Sequence, residues 1–305
     1  MSHARRGPND RPAVGDAARR RIVRMPSLVE ELIESGIHFG QRASGWNPKM
    51  APYIYAKRNG IYIIDIKETV KGLLLAKKFL QRTVADGKDV CFVGTKRQAK
   101  SVIEDRVSAV KMHYVTERWL GGTLTNFRTI RSRLKRLEEL EAIERTDDFQ
   151  SYSKKMESRL RREMAKIRRN LDGIRTMSKL PGAVVVIDVR REVNALREAR
   201  KLGVPTVALV DTDGDPDLVD IPIPGNDDSM RAIDVVMREL CAAIAEGKQG
   251  RQAADEGRDA GVDASAADQR PRRSSRARFR ADEAAPVAAP DAESVAAPVQ
   301  PNPAG

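Results

Sequence analysis

The chain has 305 residues, a net charge of +12 and 41% hydrophobic residues, which suffices for one large domain with appendages or for two domains. No apolar run reaches the about 18 residues a membrane helix needs, and no signal-peptide pattern precedes the patterned region. Cys91 and Cys241 lie far apart in apolar surroundings, so they read as buried thiols in a reducing, cytoplasmic compartment rather than as a disulfide.

Charge placement says more than its total. Residues 1–24 carry net +5, 25–125 +6, 126–180 +7, 181–246 −6 and 247–305 zero. One part of the molecule therefore suits a polyanion, and another suits something else. Residues 1–24 read as a flexible basic arm. Pro8, Asp10, Pro12 and Asp16, with no amphipathic period, argue against an organelle transit peptide.

Patterning begins at Met25. PSLVEELIESG places Leu28, Leu32 and Ile33 on one face of a short helix that stops at Gly36. A loop rich in Gly, Trp and Pro follows over 36–53. IYIIDI (61–66) reads as a β-branched strand, 67–87 as a helix, DVCFVGT (89–95) as an apolar strand, 96–110 as a helix and MHYV (112–115) as a short strand. AVVVID (183–188), a helix over 192–202 and TVALVD (206–211) repeat the unit. A closing amphipathic helix spans 228–247. Doubly apolar strands separated by helices predict an α/β fold with a five-stranded parallel, doubly wound sheet and right-handed crossovers.

The alternation breaks once. Phe127, Ile130, Leu134, Leu137 and Leu140 recur at helical spacing. After a polar break at TDDFQS (146–151), so do Tyr152, Met156, Leu160, Met164, Ile167, Leu171 and Ile174. This predicts an inserted antiparallel coiled-coil helical hairpin. The expected organisation is a disordered basic extension (1–24), a globular α/β domain (25–124 and 178–246), the hairpin (125–177) and a disordered Ala/Pro/Arg-rich tail (247–305). Basic residues cover the hairpin's outside, which fits a solvated helix face. The clustering of its acids at Glu138–Glu144 leaves long basic stretches that also fit phosphate contacts.

A doubly wound sheet often binds a nucleotide. The first predicted turn, after IYIIDI, contains no Gly. FVGTKRQAK (92–100) has one Gly and matches neither G-x-G-x-x-G nor GxxxxGK[ST]. Its helix N-terminus, with Lys96 and Arg97, suits a single phosphate. DTDGDPDLVD (211–220) reads as an Asx-rich loop capping a strand or as a Mg²⁺ site; Pro216 and Pro222 break the calcium-loop template. His3, His38 and His113 share no ligand spacing with each other or with the cysteines, and no G-x-S-x-G elbow is present. No catalytic residue, metal site or cofactor is predicted.

Eight segments, in order, carry a resemblance: GIHFG (36–40), WNPKM (46–50), RNGIYIIDIKETV (58–70), FVGTKRQA (92–99), RWLGGTLTNFRTI (118–130), LPGAVVVID (180–188), LGVPTVALVDTDGDPD (202–217) and IPIPGNDDSMRAI (221–233). The chain resembles the bacterial small-subunit ribosomal protein S-two family over nearly all of 25–246. The resemblance implies a Rossmann/flavodoxin-like domain with a coiled-coil insertion, without enzymatic activity. It also implies a place on the small ribosomal subunit, contacts with 16S rRNA and neighbouring proteins, and a share in holding the mRNA-recruiting protein S-one. Neither a membrane nor a small-molecule substrate is implied. Gln41 departs from the His that follows HFG in many members, and Asp213 from a frequent Asn.

Phosphate-contacting candidates are Lys49, Lys57, Arg58 and Asn59 in the first loop region, and Lys96 and Arg97 at a helix start. Arg118, Asn126, Arg128 and Arg131 follow where the sheet feeds the hairpin. Trp46, Trp119 and Phe127 read as base-stacking residues or as anchors of Gly-rich loops. Gly121 and Gly122 suit a sharp turn or a close backbone approach. The acidic end, Asp211–Asp220 with Asn226–Asp228, is expected to face solvent or a protein partner. The resemblance begins just after Met25, so translation is expected to start there; N-terminal sequencing of the natural protein that found residues 1–24 intact would reject this.

Overall fold

The computed structural model describes residues 27–145 and 152–267, with side chains up to 252. The expectations for 1–24, the turn at 146–151 and the chain beyond 267 lie outside those residues. The chain divides into two units, Met1–Arg258 and Asp259–Gly305. The second is represented among the described residues only by the end of one helix.

Helix α1 (Leu28–Glu34) starts at a capping box. Ser27 accepts from the Glu30 backbone N–H while the Glu30 carboxylate accepts from Ser27 N–H, so two otherwise unpaired donors are satisfied. Strands β1 (Phe39–Arg42), β2 (Ile54–Arg58) and β3 (Ile61–Ile64) form a small antiparallel sheet in the order β1-β3-β2. This corrects the assignment of residues 61–66 to the parallel sheet. The physical cause is the Asn59-Gly60 pair, which holds φ of 50° and 76°. Asn-Gly is the preferred pair for a two-residue hairpin turn, and it folds β3 back on β2 rather than into the main sheet.

Helix α2 (Ile66–Ala85) leads to β4 (Val90–Val93), α3 (Arg97–Ala109) and β5 (His113–Val115). After the hairpin helices α4 (Phe127–Arg145) and α5 (Lys154–Leu171) come β6 (Ala183–Ile187), α6 (Val193–Lys201), β7 (Thr206–Val210), β8 (Ile221–Pro224) and α7 (Met230–Ala267). The parallel sheet has five strands in the order β5-β4-β6-β7-β8. Its residues alternate between two cores. Val90, Phe92, Val185 and Leu209 face α1, α2, α3 and α7, whereas Cys91, Val93, Val184, Val186 and Ala208 face α6 and the root of the hairpin. Both thiols are buried and free; burial pushes their pKa values up to about 12 because the thiolate is poorly solvated there.

The fifth parallel strand is β8, whose Pro-rich IPIP segment carries no ordinary strand signal. It is tolerated because β8 is an edge strand. Gly225 N–H, on the parity of Ile221 and Ile223, donates to Val210 O at 2.9 Å. Pro222 and Pro224 therefore turn their donor-less side outward. Helix α2 covers that edge: Thr69 Oγ1 donates to Pro224 O at 2.7 Å, and Gly72 lies against Pro222 O.

In the hairpin, Ile130, Leu134 and Leu171 belong to the domain core, while Leu137, Leu140, Leu160 and Met164 form a separate core between the helices. The helices run antiparallel, since Arg131 near the start of α4 donates to Ser178 O just past α5 at 3.2 Å. Tyr152 and Met156, expected on the seam, are 41% and 40% exposed and lie beyond its last buried layer. The closing helix also outruns the expected stop at Gly247, because residues 248–267 are mostly good helix formers despite three further glycines.

A Cβ on Gly72 would come within 2.5 Å of Pro222 O. Gly72→Ala should therefore lose about 1–2 kcal/mol in urea denaturation, the clash outweighing the about 1 kcal/mol helix-propensity gain. An unchanged or raised midpoint would show that the edge can yield at no cost.

Candidate nucleic-acid interface

A sheet of this order reverses its winding between β4 and β6, and ligands of such folds bind at the strands' carboxyl ends there. In this chain its own side chains fill that place. Thr95, at the turn after β4, donates its backbone N–H to Glu192 Oε1 at 3.1 Å, and its hydroxyl donates to the same oxygen. Glu192 is 3% exposed and burial raises its pKa. Its carboxylate thus stands where a phosphate oxygen would be received.

Lys96 closes the rest of the cleft. Its ammonium lies 2.7 Å from Asp227, 2.5 Å from Asp228 and 3.7 Å from Asp188. Burial opposes the charge, but the bonds to Asp227 and Asp228 outweigh it and hold the Lys96 pKa above the ordinary value. Gln41 joins the cluster by donating to Asp228 at 2.6 Å and to Asp211 at 3.3 Å. Burial pushes Asp211 and Asp227 upward, and their mutual repulsion adds to the shift of Asp227. Asp211, Asp227 and Asp228 present oxygens within 4.8 Å of one another, with the Lys96 ammonium bound to two of the three.

The acidic loop is likewise satisfied from within. Lys49 pairs with Asp215 at 2.9 Å and with Asp217 at 2.7 Å. Arg190 pairs with Asp213 at 3.1 Å, and Asp220 accepts from Thr206 N–H and Oγ1 at 2.8 and 2.9 Å. Of the phosphate-contacting candidates, Lys49 and Lys96 are thus engaged by acids of the chain itself.

The others divide by place. Lys57, Arg58 and Asn59 are exposed around the β2–β3 turn, with Lys57 Nζ 5.9 Å from the Tyr62 ring centroid. Asn59 also serves the turn itself. Arg97 is exposed in the first turn of α3, and Arg118, Asn126, Arg128 and Arg131 are exposed at the approach to the hairpin and along α4. The structure does not gather these into one pocket. They are spread over loops and one long helix, as backbone-positioning contacts commonly are.

The hairpin holds fourteen basic and six acidic side chains in its two helices. Arg136, Arg161 and Arg168 face hairpin acids. Among the described residues, Arg128, Arg131, Arg133, Lys135, Lys154, Lys155, Arg159, Arg162, Lys166 and Arg169 have no carboxylate at ion-pair distance. Glu141 works differently. It is 7% exposed and accepts from Arg168 at 2.7 Å and Arg175 at 2.6 Å. The Arg175 and Arg168 bonds hold its pKa down at about 2, and they tie α4 to the end of α5.

Sequence reasoning missed Glu198, which builds the loop feeding the hairpin. From α6 its carboxylate accepts from Trp119 Nε1 at 3.1 Å, from the backbone N–H groups of Gly122, Leu124 and Thr125 at 2.7, 3.0 and 3.2 Å, and from Thr125 Oγ1 at 3.2 Å. Trp119 is therefore a core anchor, 7% exposed. Phe127 packs partly on the same core. Gly122 takes φ of 90°, which a side chain would strain. Trp46 lies against Tyr62 with ring centroids 4.8 Å apart. His38 lies tilted against Phe39 with ring centroids 4.1 Å apart, its Nδ1 buried without a partner, and it meets no metal-ligand cluster among the described residues.

The family described as "Ribosomal protein S2" matches residues 32–247, which include the closed cleft, the Trp119 loop and both hairpin helices. The chain belongs to the ribosomal protein S2 family. It is 57% identical over 221 residues, 72% of this chain and 85% of the relative, to the small ribosomal subunit protein uS2 of Rhodopirellula baltica (strain DSM 10527 / NCIMB 13988 / SH1). Ribosomal protein S2 members are structural proteins acting in translation, and this chain is not an enzyme. No helix among the described residues is long and apolar enough to cross a membrane.

Burial pushes the Glu198 carboxyl up, but the hydrogen bonds from Gly122, Leu124, Thr125 and Trp119 outweigh it and hold the pKa below the ordinary value. The stability it contributes is present above the unfolded-state pKa and is lost as pH falls through the folded one. Glu198→Gln replaces one acceptor with a donor facing backbone N–H groups. It should cost about 1–3 kcal/mol at neutral pH, with a smaller cost in acid. An equal cost at every pH in thermal melts would remove Glu198's charge from the account.

Proposed function

We propose that this chain is a structural constituent of the small ribosomal subunit that binds 16S rRNA in the cytoplasmic ribosome. The observation that carries the reading is the row of exposed cations without carboxylate partners along α4 and α5, alongside a cleft whose polar groups are consumed internally. Long basic side chains lacking internal partners release counterions when they meet phosphates. Arg58 at the β2–β3 turn, Arg97 on α3 and Arg118 before the hairpin extend that surface over the domain. The rigid frame contributes shape, since the hairpin root is continuous with the domain core and Glu141 fixes the two helices to each other.

The finer part of the proposal is that the chain helps hold the mRNA-recruiting protein S-one, which rests on the family resemblance. The acidic end fits such a protein-facing role only through Asp217 and Asp228, which stay exposed although they pair with Lys49 and Lys96; Asp211, Asp213, Asp215, Asp220 and Asp227 are engaged inside the chain.

In sucrose gradients at physiological salt the protein should run with small subunits. The triple variant Arg58→Glu, Arg97→Glu, Arg128→Glu should move to the top of the gradient. Its binding to purified 16S rRNA should lose roughly three units of the log-affinity against log-salt slope. Wild-type protein that stays at the top at every salt concentration would sink the reading.

A further inference from the structure

A groove of about 470 Å³ runs between the flank of α5 and the loop after Trp119. Its floor is apolar, made by Leu120, Ile167 and Leu171, and its rim carries Arg133, Arg159 and Lys166. We propose that this groove seats one unstacked nucleotide of ribosomal RNA, with the base on the floor and its flanking phosphates on the rim. The proposal deepens the rRNA-binding reading above and rests on it.

The sequence builds the groove deliberately along one helix face. Arg159, Glu163, Lys166 and Asn170 follow at intervals of four, three and four, which is a single stripe of an α-helix. Glu163 is the one acid of the lining, and its carboxylate is 3.6 Å from Arg136. The rim cations have no carboxylate at ion-pair distance among the described residues, so the groove is net positive. Asn170 is half-buried and its amide makes no side-chain hydrogen bond among the described residues. An amide offers both a donor and an acceptor to a base edge.

Two features distinguish this place from the open basic surface of the hairpin. A duplex presents phosphates and would leave an apolar floor unused, whereas an extruded base has a ring face to bury. Guanidinium planes also stack on bases while meeting phosphates. The floor is held rigid, because Leu171 belongs to the domain core and Ile167 packs on both that core and the hairpin's own.

The test compares two probes with the full chain, purified 16S rRNA and a fully paired RNA duplex. Asn170→Ala should weaken 16S rRNA binding about tenfold, the scale of a lost bidentate base contact, and leave duplex binding unchanged. Arg159→Gln with Lys166→Gln should lower the salt slope for 16S rRNA by about 2. Ultraviolet irradiation of purified small subunits, followed by peptide mapping, should place a nucleotide adduct within 119–122 or 166–171. Circular dichroism of each variant checks that it folds. If Asn170→Ala binds both RNAs as wild type does and no adduct falls in these segments, the groove holds no base, and the rRNA-binding reading survives. An adduct with a neighbouring protein there overturns the proposal in the same way. Wild-type protein that binds neither RNA defeats the underlying reading instead.

Discussion

Charge neutralisation at the carboxyl ends of the parallel strands is the constraint on which the rest of this molecule depends. The topology brings Asp188, Asp211 and Asp227 together at the ends of successive strands, in a place shielded from water. Such a concentration of carboxylates is costly unless a cation meets it. The chain supplies Lys96 from the turn after β4 and Gln41 from the small antiparallel sheet. That ammonium fastens the ends of β4, β6 and β8 to one another. It also occupies the place where other proteins of this topology receive a ligand. Stability of the frame and the filling of that cleft therefore have one origin.

The division of labour between the two halves of the charge distribution follows. Acids of the region 181–246 are largely consumed by partners within the chain, as with Lys49 and Arg190. Bases of the hairpin largely are not. Cations without internal carboxylate partners are thus concentrated on the two hairpin helices, while the acids of the later strands are matched from within. Glu141 and Glu198 are the exceptions that explain the hairpin's fixed direction. One ties the helices to each other, and the other shapes the loop from which they emerge.

Much of this was legible in the sequence. Strands β4, β6 and β7 are continuous apolar runs because both of their faces are covered, and that pattern survives any context. The hairpin helices show in the spacing of Ile130, Leu134, Leu137 and Leu140. β8 was not legible as a strand because prolines at 222 and 224 mask an edge position whose outward side needs no donor. β3 carries the same β-branched signal in either sheet, and Asn59-Gly60, which decides between them, lies outside it. At the candidate interface, exposure of Arg58, Arg97 and Arg128 was readable from their places in loops and helix starts. The engagement of Lys49 and Lys96 was not, since their partners lie 166 and 131 residues away. Glu192 and Glu198 act over separations of 97 and 76 residues, and no local pattern marks a carboxylate for such work.

The outer rim of β8 bears on the protein's life before it reaches a ribosome. A free strand margin with its full complement of amide hydrogens is a template on which another polypeptide can add itself. Here two imino acids delete those hydrogens, Thr69 occupies one of the remaining oxygens, and α2 is laid over the rest. Newly made copies consequently find no ladder to extend on this side, so they can accumulate ahead of assembly without zipping together there.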